Sequence, residues 1–152
     1  MTEDGNKGES RIVDLDGAEI SILSLKGATV ATGSFTGASL TDVTFAGAKL
    51  DDVTFASADL HDITFAGAKL DDVSFASINL HNATFRGAKL DDVSLESASI
   101  RNTTLKGAHL SDVDLSNVTI EDANVEGLSI DGVRIDELLA AHRASAGGDE
   151  AP

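Results

Sequence analysis

The 152-residue chain has no cysteine, no tryptophan and no tyrosine. Without cysteine there is neither a disulfide framework nor thiol chemistry, and the redox compartment goes unmarked. Without tryptophan and tyrosine, platforms on which nucleic-acid bases stack are scarce. No apolar run approaches the length of a membrane span. The first residues, MTEDGNKGES, are polar and do not read as a signal peptide, so a cytoplasmic protein is expected. Positive charge is scarce as well. Eleven Lys and Arg stand against 26 Asp and Glu, a net charge of −15 that disfavours direct nucleic-acid binding. No Ser/His/Asp set, phosphate loop or carboxylate pair in a cleft can be picked out. Neither enzymatic activity nor a cofactor is expected.

What the chain does have is repetition. Residues 44–123 are four copies of one 20-residue line, beginning TFAGAKLDDVTFASADLHDI and ending TLKGAHLSDVDLSNVTIEDA. A shorter period of five runs inside each copy. All 25 residues at five-residue steps from Leu15 to Ile135 are Leu, Ile, Val or Phe. Two residues before each lies a second column, Val13, Ala18, Leu23 and onward to Val133, made of Ala, Val, Leu and Ile apart from Gly33 and Thr103. The remaining positions are polar or small, Ile22 excepted.

A helical period of 3.6 would scatter these residues around the axis, and a flat strand would alternate with a period of two. The pattern requires a chain that turns a corner every five residues, so that four pentads close a square coil. Stacked coils then pair along the axis at a strand spacing of roughly 4.8 Å. One coil cannot bury its own apolar residues, but a stack can. The residue two after each centre is Gly, Asp, Asn, Ser or Thr, apart from Ile22. Such residues tolerate the left-handed region or cap a turn. At the 20-residue step they form a Gly ladder (Gly27, Gly47, Gly67, Gly87, Gly107, Gly127) and an Asp ladder (Asp52, Asp72, Asp92, Asp112). The Gly ladder suggests a corner distinct from that at Ser57. All six Phe fall on two opposite walls, where stacked aromatic columns are expected.

The units A-K-L-D-D and A-D-L-H-D resemble the pentapeptide repeat, whose consensus is roughly A-(D/N)-L-x-x. The resemblance covers residues 13–135. It implies an all-β fold: a right-handed quadrilateral β-helix of about six coils, with a short C-terminal capping helix. The boundaries expected are a disordered arm over 1–11, the β-helix over 12–135, a helix over 136–145 and a flexible tail over 146–152. Asp136 is the expected helix N-cap, with Gly147 and Gly148 ending the helix. The helix would lie as a lid over the last coil, whose strand edges would otherwise be open. Leu138, Leu139 and His142 are the candidate cap or dimer residues, and an end-to-end homodimer through this helix is expected. At the other end, Ile22 is read as a contact for the N-terminal arm or for a second copy.

The candidate partner-binding surface is an acidic stripe of Asp51, Asp52, Asp71, Asp72, Asp91, Asp92 and Asp112, extended by Asp131. Like charges this close repel, so the stripe is not explained by stability. It is either a solvated surface that keeps the rod soluble or an imitation of a nucleic-acid backbone. Lys49, Lys69 and Lys89 run beside it. His61 and His81 stack near Asp62, but the column continues as Arg101, and no metal site is expected. Thr44, Thr64, Thr84 and Thr104 form a ladder of the kind ice-binding solenoids use. The neighbouring Arg86 and Lys106 interrupt it.

Two functions follow as expectations. The resemblance extends to the quinolone-resistance pentapeptide proteins, acidic rods that occupy the DNA site of DNA gyrase. It implies a non-enzymatic DNA mimic that modulates a type II topoisomerase. This chain is shorter, has no inserted loops and is nearly neutral in its middle coils. The alternative is a structural or protein-interaction scaffold for another protein partner.

Overall fold

The computed structural model describes residues 12–147; the arm over 1–11 and the tail from 148 onward lie outside them. Within that span the chain winds into a square β-solenoid of about six coils, followed by one helix. Every coil repeats the last at a step of 20 residues. Lys49–Thr54 pairs in parallel with Lys69–Ser74, and that strand with Lys89–Ser94, with Leu50, Leu70 and Leu90 directly aligned. On the opposite side Ser39–Thr44, Asp59–His61, Asn79–His81 and Ser99–Arg101 stack in the same way. The two stacks form a nine-stranded and a six-stranded sheet. The one antiparallel pairing among the described strands joins Ser129–Ile130 to Val133–Arg134, where the winding ends.

The corners explain the small and polar positions. At every corner from Gly17 to Gly132 except Thr32, the residue two after the wall centre has positive φ. The corners are of two kinds. After centres such as Phe45 and Phe65, a tight turn closes with the Ala48 and Ala68 amides donating to the Phe45 and Phe65 carbonyls at 2.9 and 3.0 Å. Gly and Ser occupy most of these. After centres such as Leu50 and Leu60, the strand bends without that bond, and Asp and Asn are usual. The Gly corner is therefore not conformationally unique: Ser57 has φ 58° and Gly67 has φ 63°.

Ile22 shares this conformation at φ 66° with its side chain 80% exposed, a strained setting for a β-branched residue. Gly33 breaks the second apolar column because an added Cβ would come within 3.1 Å of Val30 Cγ1. Thr103 breaks it too, buried with its hydroxyl donating to the Arg101 carbonyl at 3.0 Å, which satisfies the polar atom.

The interior is filled by the two columns the period predicts. Phe35, Phe55 and Phe75 stack along one wall with centroids 4.8 and 5.0 Å apart. Phe45, Phe65 and Phe85 stack along the opposite wall at 4.9 and 4.8 Å. Across the core the columns meet edge to face at 5.6–6.2 Å. The within-column spacing is that of the strands themselves. Toward the C-terminal end the packing loosens: Val113, Leu115, Val118 and Val125 are half-buried, and Ile120 is 41% exposed.

Four substitutions test the packing and the corners. Phe65→Ala removes a ring that contacts four others and is expected to cost about 3–5 kcal/mol, read as a lowered midpoint in circular dichroism melts. Gly67→Val is expected to destabilise by about 1–3 kcal/mol and Ser57→Val by less, because Ser57 already holds an L side chain in the same left-handed corner whereas Gly67 holds none. Equal losses would mean that the two corners differ. Ile22→Asn should raise the midpoint by relieving about 1 kcal/mol of strain.

Candidate functional site

The square coil assigns each outward position to a column, so the acidic residues are best described column by column. Asp51, Asp71 and Asp91 align in register on the wall centred at Leu50, Leu70 and Leu90. Lys49, Lys69 and Lys89 align on the same wall, one residue to the other side of those leucines. Asp52, Asp72, Asp92 and Asp112 occupy the next corner, with φ of 50–53°. The adjacent Asp-Asp pairs therefore do not form one stripe. The corner turns the second aspartate of each pair away, and two parallel acid columns result. Asp131 extends the corner column: its Oδ1 accepts from the Asp112 amide at 3.3 Å.

The corner column borders an open groove of about 540 Å³. Its floor is Gly33, Val53, Val73 and Val93, and its far side is Ser34, Thr54, Ser74, Ser94 and Asp114, with Asp14 at one end. Reading the sequence for acids alone missed the hydroxyl side of this groove. The five-residue period already places Ser34, Thr54, Ser74 and Ser94 one residue before the buried centres. Hydroxyls in these columns work locally: Thr54 Oγ1 accepts from the Ala56 amide at 3.2 Å. Ser116 donates through both its amide and its hydroxyl to Asp114, which holds the Asp114 carboxyl below its usual range.

His61 and His81 stack with ring centroids 5.0 Å apart and planes 21° apart. His61 Nδ1 lies 2.7 Å from Asp62 Oδ2, and the Asn82 amide donates to the other Asp62 oxygen. Arg101 continues the column and pairs with Glu121 at 3.0 Å. Among the described residues no three His, Asp or Glu side chains converge as metal ligands would. The threonine ladder is present as bridges from Thr44 through Thr64 and Thr84 to Thr104, with Arg86 exposed beside it.

At the C-terminal end the helix spans Ile135–Ala146, one residue beyond the expected 136–145 on each side. Asp136 is not its N-cap; Arg134 holds that position and makes no side-chain capping bond. Asp136 sits inside the first turn, where its carboxylate fastens the helix to the coil. It accepts from the Gly127 amide at 2.9 Å, from Arg134 Nε and an Arg134 terminal nitrogen at 3.0 and 2.7 Å, and from the Glu137 amide at 3.0 Å. These donors, Arg134 foremost, hold its carboxyl well below the usual range. Of the helix only Ile135 packs against the core; Leu139 is half-buried, Leu138 is 57% exposed and His142 is exposed. No residue of the helix is fully buried, so it closes the last coil along one edge and leaves Ile120 open.

The sequence of 58–141 matches the family model described as a pentapeptide repeat region. The chain belongs to the pentapeptide-repeat family. A pentapeptide-repeat protein of the Arabidopsis thaliana thylakoid lumen is similar to it at 27% identity and a TM-score of 0.56, over 72% of this chain and 74% of that one. Rfr23 from the cyanobacterium Cyanothece 51142 matches at 20% identity and a TM-score of 0.44, over 79% and 86% of the two chains. QnrB1, a plasmid-mediated fluoroquinolone resistance protein, matches at 12% identity and a TM-score of 0.34, over 88% and 94%. No curated protein matches the sequence.

The Asp136 anchor is testable by acid titration. Its folded-state pKa lies below the ordinary 3.8. It therefore contributes stability that is fully present above that value and lost as pH falls through the depressed folded value. Carbon-detected NMR is expected to show the Asp136 carboxyl titrating well below the ordinary 3.8. Asp136→Ala should lower the helical signal at neutral pH while the β-solenoid melts as before. A titration midpoint at or above the ordinary 3.8 would remove the anchor.

Proposed function

We propose that this pentapeptide-repeat protein is a non-enzymatic interaction rod of the cytoplasm that holds a protein partner along its outer walls. One observation carries the reading. The interior is filled by stacked Phe, Leu and Val, while the acids, lysines, histidines and hydroxyls are displayed outward in straight columns at a constant step. Such a surface offers a partner one chemical group repeated at roughly 4.8 Å along a rigid edge. The half-open C-terminal end, with Ile120, Val133 and Leu138 exposed, supports joining of two rods end to end through Leu138, Leu139 and His142.

A narrower form of the reading makes DNA gyrase the partner, with the acid columns standing in for phosphates. The corner column from Asp52 to Asp112 favours it. The Lys49, Lys69 and Lys89 column, on the same wall as Asp51, Asp71 and Asp91, opposes it. Residues 64–103 carry Asp71, Asp72, Asp91, Asp92 and Glu96 against Lys69, Arg86, Lys89 and Arg101, close to neutrality. The scaffold form is therefore the better supported.

A supercoiling assay with purified gyrase separates the two forms. The scaffold form predicts no inhibition by the parent protein. Inhibition that is lost when Asp71, Asp72, Asp91 and Asp92 are changed together to Asn would establish the mimic instead. The general reading is tested by affinity capture on the immobilised protein and reconstitution with the purified partner. Binding is expected to fall at least about tenfold when one outward column is neutralised. A partner that binds every column variant equally would overturn it. For the end-to-end contact, sedimentation equilibrium at dilute protein is expected to give a dimer for the parent and a monomer for Leu138→Glu; a parent that is monomeric there would exclude it.

A further inference from the structure

The wall centred on Leu50, Leu70 and Leu90 carries two charged columns of opposite sign. Lys49, Lys69 and Lys89 lie on one side of the leucines and Asp51, Asp71 and Asp91 on the other, all six exposed. Among the described residues, none of the six takes part in an ion pair. Asp91 accepts one hydrogen bond, from Ser111 Oγ at 3.2 Å. Within a column, like charges repeat at roughly 4.8 Å and repel. Within a strand, each Lys and Asp are two residues apart, roughly 6.6 Å at the Cα atoms. The charges that would neutralise each column are thus displayed on the same wall and are not used there.

We infer that this wall docks a second copy of the chain, the two rods lying side by side and parallel about a twofold axis that runs along the rod. The sign pattern selects this arrangement. A twofold axis along the rod exchanges left and right across the wall. It brings each lysine column onto the aspartate column of the other copy, Lys49 to Asp51, Lys69 to Asp71 and Lys89 to Asp91, in both directions. A twofold axis across the rod would instead set lysines against lysines.

The corners agree with the parallel arrangement. It brings the Asp52, Asp72 and Asp92 corner over the corner of Gly47, Gly67 and Gly87, where an added Cβ would meet nothing within 4 Å. Exposed Arg86 beside Gly87 would face Asp92 of the other copy. The contact is small. Five residues across and five coil steps along give roughly 400 Å² per copy, about half that of a stable complex. The association is therefore weak, and it is independent of the contact through the C-terminal helix.

Charge reversal on the full-length protein tests the inference. The net charge of −15 itself responds to salt, so reversal is a cleaner readout than ionic strength. In sedimentation equilibrium, the triple variants K49E/K69E/K89E and D51K/D71K/D91K should each weaken lateral association at least about tenfold. Their equimolar mixture should restore it as a heterodimer. Circular dichroism checks that each variant stays folded.

The chain has no cysteine, so a nitroxide on Thr29→Cys reports orientation. The parallel arrangement places both labels at the same end of the pair, whereas a separation longer than the rod would exclude it. Unchanged association in both triple variants, two variants that do not combine, or a parent with no lateral association would each overturn the inference. A dimer through the C-terminal helix would survive both charge reversals and hold the labels far apart.

Discussion

The structure depends on register. Backbone amides along the walls donate to the coil beside them, as in Phe45 to the Thr64 carbonyl at 2.7 Å and Gly47 to the Ala66 carbonyl at 2.9 Å. Slipping one coil by a single residue would break this ladder and carry a phenylalanine out of the core onto the surface. The bonds and the apolar columns therefore enforce the same step. Stability is shared between neighbouring coils and has no single centre. The loosening from Val113 to Val125 follows directly, since the last coils have packed neighbours on one side only.

The same constraint made the fold legible in the sequence. A 25-member column of branched and aromatic residues at a fixed step admits few chain paths, and the stacked phenylalanines follow from where Phe35 to Phe85 fall in it. The corners were legible as residues that tolerate the left-handed region, but the exceptions were not. Thr32 does not adopt positive φ, whereas the β-branched Ile22 does. The C-terminal helix was visible from the loss of the period. How it attaches was not, because Asp136 reaches back nine residues to Gly127, a contact no local pattern encodes.

The candidate surface was legible by composition and misjudged in arrangement. Asp51 and Asp52 are neighbours in sequence, yet a corner separates them, one beside lysines and the other beside a groove of hydroxyls. A run of like residues becomes one patch on a flat strand and two columns on a square coil. For a chain of this kind the wall assignment has to precede any statement about charge.

The square register also governs how such a rod can change length. Inserting 20 residues adds one whole coil and leaves every column continuous. Inserting five keeps the core pattern, because each centre is again apolar, but rotates everything downstream by a quarter turn. The lysines of one segment would then stand over the threonines or serines of the next. The four lines between residues 44 and 123 keep one 20-residue register and so preserve the wall assignment throughout. Duplication in whole coils is the event that lengthens a display surface without scrambling it, and it makes reach along the rod adjustable independently of the chemistry shown on each side.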